Sequence, residues 1–218
     1  MKKVLSIAIF IALNQLNAQP FYQHWDFTVG LGTSNYSGEI ANESTVRTIT
    51  SEIRPQMSLE LNYNLSPTNT IGLEGVFGSW YANDKNHQNR YDRFYEGSSK
   101  YAYLGLQFNH FFFAQKNWLL TPYLGAGLGY NFYHTEISAL EEARTIPTPD
   151  QADVKSQAFG FTFTGGAIYD VNHRLSLSLE YWLSLYGSDM IDNLVYAKKE
   201  TDKIGSIRIK AHIRLFRS

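Results

Sequence analysis

The chain has no cysteine among its 218 residues. That excludes disulfides, thiolate metal centres and lipid attachment through an N-terminal thioether. Proline is sparse, and the most apolar run, Val4 to Leu13, is too short to cross a bilayer as a helix. An excess of one charge is also missing. Nineteen Lys and Arg stand against 20 Asp and Glu, a formal net charge of -1, so no electrostatic footprint for nucleic acid exists. No segment carries an apolar stripe at a period of 3.6, which argues against a helical domain. Glycine-rich phosphate loops and helical metal motifs are absent as well, so no cofactor and no metal is expected.

What the chain does contain is 15 Tyr, 14 Phe and 16 Gly set in a two-residue rhythm. From Leu175 to Leu185 every second residue is apolar, in the run LSLSLEYWLSL, and seven other segments keep the same beat. Side chains of a strand alternate between two faces, so one face here is continuously greasy and the other polar. The fold class this predicts is all-β: an eight-stranded antiparallel transmembrane barrel of the outer-membrane kind. A lipocalin-like soluble barrel would place its apolar face inside, against the charged and glycine-rich alternate face seen here.

The first residues fit that destination. Lys2 and Lys3 precede the apolar run, and a cleavage point follows Ala18, so residues 1–18 read as a secretory signal peptide and 19–218 as the barrel domain.

Strand by strand, the expected lipid face carries Trp25, Phe27, Val29 and Leu31 (Trp25 to Thr33), then Met57, Leu59, Leu61 and Tyr63, then Ile71, Leu73 and Phe77. It continues with Leu104, Leu106 and Phe108 in a strand over Lys100 to Phe112, and with Leu124, Ala126, Leu128 and Tyr130. Phe159, Phe161, Phe163, Ala167 and Tyr169 follow, then the opening leucines, and last Ile207, Ile209, Ala211, Ile213 and Leu215. Gly125, Gly127 and Gly129 form an inward stripe that should make room for large side chains from across a narrow lumen.

Connections fall into two sets. Residues 66–69, 114–117 and 171–174 are short, whereas 34–51, 82–98, 134–155 and 187–203 are long. In outer-membrane barrels short turns face the periplasm and long loops face outside, which puts both termini in the periplasm. Trp25, Tyr63, Phe112, Trp118 and Tyr169 collect near the short-turn end as an interfacial aromatic girdle.

The inward face supplies the strongest constellation. Asp26, Glu60, Glu74 and Glu180 share the interior with Arg208, Lys210, His212 and Arg214. Isolated ions in a narrow lumen carry a heavy desolvation cost, so these groups are expected to form a paired network that plugs the barrel, with an ion path as the rival reading. No catalytic residue is assigned. His134 and Ser138 could meet only if their segment turned helically, and no oriented acid accompanies them. Glu141, Glu142, Asp150 and Asp153 are too scattered for a calcium site. In the long loops Tyr91, Arg93, Phe94 and Tyr95 could anchor a partner.

Three stretches carry a family resemblance. Gly32-Thr-Ser-Asn-Tyr-Ser-Gly-Glu39, Thr121-Pro-Tyr-Leu-Gly-Ala-Gly-Leu-Gly129, and Leu179-Glu-Tyr with Tyr186-Gly-Ser-Asp189 are similar to those of small Bacteroidota outer-membrane barrels associated with type IX secretion and gliding machinery. The resemblance implies a non-enzymatic outer-membrane anchor or accessory component that meets a periplasmic ring or other secretion-complex proteins. In that pattern Asn35, Tyr36, Gly38 and Glu39 match one signature, and Pro122, Tyr123 and Gly125 another. The alternatives are a surface adhesion or ligand-binding barrel that uses its loops, and a lipid-modifying enzyme. In every case outer-membrane lipid is a partner.

Overall fold

A computed structural model of the protein describes residues 25–37, 52–83, 95–112, 120–139, 153–186 and 202–215. The strands are β1 (Trp25–Ser37), β2 (Arg54–Ser66), β3 (Asn69–Asn83), β4 (Tyr95–Phe111), β5 (Leu120–Ala139), β6 (Asp153–Asp170), β7 (Leu175–Tyr186) and β8 (Asp202–Arg214). Each pairs antiparallel with its sequence neighbours, and β1 closes on β8 from Asp26↔Arg214 to Ser37↔Lys203. Closure matters in lipid. It leaves no sheet edge whose backbone groups would be unsatisfied in hydrocarbon.

The alternation in the sequence becomes an alternation in exposure. Leu177, Leu179 and Tyr181 of β7 face outward, while Ser176, Ser178, Glu180 and Trp182 are buried between them. Leu31, Leu73, Leu104, Leu124, Phe161 and Ile209 extend the same apolar wall around the barrel. With lipid outside, these side chains lie in their preferred solvent rather than in water.

Tight turns join strands on one side. Between β2 and β3, Ser66 Oγ accepts from the Thr68 amide at 3.3 Å and from Asn69 Nδ2 at 2.9 Å. Between β6 and β7, Asn172 Oδ1 takes the amides of Arg174 at 2.8 Å and Leu175 at 3.0 Å, so a side chain substitutes for the missing ladder partner. Residues 113–119 lie outside the described residues, and with them the expected 114–117 turn and Trp118. At this end Trp25 meets Tyr63 with ring centroids 5.0 Å apart, and His110 meets Phe112 at 5.0 Å.

On the other side the strands run farther than their apolar pattern suggests. β1 continues to Ser37, β4 begins at Tyr95, β5 reaches Ala139, β6 begins at Asp153 and β8 at Asp202. Beyond the lipid band both faces become polar or aromatic, so hydropathy stops alternating while burial does not. Tyr36, Trp80 and Ala82 stay buried there although their outward neighbours Asn35, Tyr81 and Asn83 are polar or only half apolar. The glycine stripe of β5 is filled differently from expectation. Adjacent strands supply the occupants, Gln107, Asn109, Tyr103, Thr162 and Thr164, rather than side chains crossing the lumen.

Candidate functional site

The inside of the barrel is packed in two tiers. Toward the short turns lies a polar tier: Gln107 Nε2 donates to Thr164 Oγ1 at 2.9 Å, and Thr162 Oγ1 donates to Gln107 Oε1 at 3.0 Å. Toward the long loops lies an aromatic tier of Tyr36, Trp80, Tyr101, Tyr103, Tyr133, Trp182 and Tyr186, closed by Val76 and Ile204. Tyr36 stacks on Trp80 with centroids 4.3 Å apart, and Tyr103 meets Trp182 edge-on at 5.7 Å. Tyr36 and Tyr186 fall in stretches that carry the family resemblance, whereas the other aromatics enter none of the sequence expectations. Their signal was present, since Trp182 has the same parity as Glu180 and Trp80 the same parity as Glu74.

An ion cluster joins the tiers. Arg208, wholly buried, reaches Glu74 Oε1 at 2.8 Å and donates through both Nε and Nη2 to Glu180 Oε1. Lys210 Nζ lies 2.5 Å from Glu60 Oε1 and 2.7 Å from Glu180 Oε1. Three carboxylates therefore share two cations, and each carboxylate also takes a neutral donor. Asn62 Nδ2 donates to Glu60 at 3.2 Å, Trp182 Nε1 to Glu74 at 3.2 Å and Tyr123 Oη to Glu180 at 2.8 Å. Such added hydrogen bonds are what make a buried ion group tolerable, since Coulomb attraction alone seldom repays desolvation.

Two glycines make the cluster geometrically possible. A Cβ on Gly30 would meet Lys210 Cγ at 3.0 Å, and one on Gly32 would meet Arg208 Cγ at 2.7 Å. Both cationic stems leave β8 and pass over these bare positions of β1 to reach carboxylates on β2 and β3. Arg208 is held from the other flank by the Trp182 ring, 5.1 Å from its guanidinium carbon.

The remaining residues of the expected interior set lie toward the short turns. Asp26 lies at the short-turn end, where its Oδ2 accepts from Asn64 Nδ2 at 2.7 Å. Arg214 is beside it in register but turns to the rim and pairs with Asp170 at 2.8 Å. His212 bonds Thr28 Oγ1 at 3.0 Å and Ser178 Oγ at 2.8 Å, which places it below the cluster as a hydrogen-bonding spacer. Parity assigns all three to the lumen: Asp26 and His212 line it on the short-turn side of the cluster, and Arg214 stands at its rim. A polar cavity of about 40 Å³ remains at this level among Asp26, Glu60, Asn64, Tyr123, Lys210 and His212, large enough for a few waters.

Of the expected loop anchors, Tyr91, Arg93 and Phe94 lie outside the described residues, and Tyr95 belongs to β4 rather than to a loop. His134 and Ser138 lie on β5, not on a helical turn. Four residues of strand separate them by roughly 13 Å, so they form no nucleophile and base pair. Glu141, Glu142 and Asp150 fall outside the described residues. No group of three or more His, Asp or Glu is placed to hold a metal among the described residues.

A closed antiparallel barrel with a greasy wall, a filled ionic interior, short turns at one end and long connections at the other is the architecture of a small outer-membrane protein. The chain belongs to the outer membrane protein beta-barrel domain family, whose model matches residues 4–210. It lies in outer-membrane lipid with the start of β1 and the end of β8 on the periplasmic side. No curated protein matches it. Among solved structures it is similar to Neisserial surface protein A, with 11% identity and a TM-score of 0.56 over 88% of this chain and 97% of that one. Ail, the attachment invasion locus protein of Yersinia pestis, aligns over 89% of this chain and 99% of its own at 11% identity and a TM-score of 0.48. A major outer membrane protein of Thermus thermophilus aligns over 88% and 99% at 14% identity and a TM-score of 0.48. At these identities the likeness is one of fold.

Proposed function

We propose that the protein is a non-enzymatic outer-membrane anchor within a protein-secretion assembly of the type IX kind, presenting fixed contact surfaces and closed to solutes. The observation that carries the closed-anchor part is the wholly buried Arg208 held between Glu74 and Glu180 beneath an aromatic tier. Eight strands enclose a bore that side chains can fill, and here ions and rings occupy it. The secretion part draws on the sequence resemblance, which implies contact with a periplasmic ring through the short-turn side. Cross-linking in the intact envelope from positions such as Thr68 or His173, followed by mass spectrometry, tests it. Recovery of periplasmic secretion-complex subunits is the expected result. Cross-links to lipid and abundant porins alone would sink the secretion role.

A second reading, adhesion through the outer loops, is favoured by strand length. β5 spans 20 residues, about twice the 9 to 11 needed to cross the hydrocarbon, so the barrel wall continues beyond the membrane. A barrel with residues 84–94 and 140–152 replaced by tight turns separates the readings. It restores secretion to a deletion strain if the anchor role holds, and loses surface binding alone if adhesion does.

A further inference from the structure

The external part of the wall is not uniform. On the outward face of β4, β5 and β6 the register sets Lys100 opposite His134 and His134 opposite Lys155. Neighbouring strands are about 4.8 Å apart, so three basic side chains rise from one patch roughly 10 Å wide. One residue pair nearer the membrane, Ala102, Phe132 and Gln157 form the next outward row, followed by Leu104, Tyr130 and Phe159. Ala102 lacks the bulk of its neighbours, and an open pocket of about 640 Å³ is lined there by Lys100, Ala102, Phe132, His134, Lys155 and Gln157, with the strand backbone behind.

We propose that this pocket binds the phosphorylated headgroup of an outer-leaflet glycolipid, with Lys100, His134 and Lys155 as its polar contacts and Phe132, Tyr130 and Phe159 against the first acyl carbons. Charge complementarity and position select that occupant. The patch belongs to the lipid-facing side of the wall, and its lower edge is apolar: Phe132 is 49% and Tyr130 53% exposed. A soluble anion would have no use for that edge. A phosphorylated lipid satisfies both halves of the site at once.

Lys100 and Lys155 are exposed and make no ion pair among the described residues. The next outward row away from the membrane holds Ser98, Glu136 and Asp153, so Glu136 and Asp153 are the rival partners by register; Glu136 is exposed and makes no ion pair among the described residues. Continuing the row past Lys100 leads to Ser79 and then toward Pro55, neither of which is charged. His134 donates through an imidazole N–H in either protonation state, which suits a phosphate oxygen.

The test uses the mature protein in phosphatidylcholine vesicles carrying phosphorylated lipid A or its enzymatically dephosphorylated form, with retained lipid counted by native mass spectrometry. Wild type is expected to retain the phosphorylated lipid about tenfold more strongly than the dephosphorylated one, and K100Q/H134Q/K155Q to abolish that preference. K203Q, which removes an exposed lysine on β8, should leave it intact. Heat-modifiable migration of every variant verifies the barrel independently. Equal retention of the two lipids, an unchanged preference in the triple variant, an equal loss in K203Q, or full displacement by inorganic phosphate at vesicle concentrations would each overturn the proposal. None of these outcomes bears on secretion, so the two readings fail separately.

Discussion

Arg208 is the residue on which the interior balance turns. Its removal leaves three buried carboxylates to Lys210 alone. Breaking a buried pair by deleting one partner costs about 3 to 5 kcal/mol, and R208M is expected to lose that much in urea unfolding of the detergent-refolded protein, followed by tryptophan fluorescence. Adding E74Q restores the original net charge while keeping an acceptor for Trp182, so R208M/E74Q should recover a measurable part of the loss. No recovery would mean that packing rather than charge sets the cost. A milder change isolates a neutral donor: W182F keeps a ring beside Arg208 but removes the bond to Glu74, and should cost about 1 to 3 kcal/mol in the same assay.

The strands themselves were legible because lipid makes hydropathy alternate strictly, as in Leu177, Leu179 and Tyr181 against Ser178, Glu180 and Trp182. Past the lipid band that signal fades, so hydropathy alone carries no sign of the upper reaches of β1, β4 and β5. Parity also told which residues face inward, yet it carries no height. Asp26, Glu60, Lys210 and His212 share one inward face and line one polar cavity, whereas Arg214, of the same parity, stands at the rim against Asp170. The need for bare positions on β1 was equally hidden, since nothing in the sequence reveals that Arg208 must cross Gly32. G32V is accordingly expected to refold poorly, with a penalty of about 1 to 3 kcal/mol from overpacking. G165A is the comparison, because a Cβ there meets Leu124 Cδ2 alone, at 3.2 Å. The measurement is the fraction reaching the heat-modifiable compact form, and equal yields for the two would contradict the crossing argument.

As a whole molecule the barrel should be electrically silent. Planar bilayers containing the wild-type protein are expected to show no conductance steps above background, because both the ionic cluster and the aromatic tier obstruct the bore. Regular wild-type steps would mean that the interior rearranges. The distribution of charge along the chain has one more consequence. Glu60, Glu74 and Glu180 lie on β2, β3 and β7, whereas both of their cations lie on β8. A chain still missing its last strand thus holds three inward carboxylates without either cation of the cluster, and the step that seals the cylinder is the same step that brings both cations to them. Closure of the sheet and compensation of its buried charge are one event, which a copy truncated before β8 cannot reach.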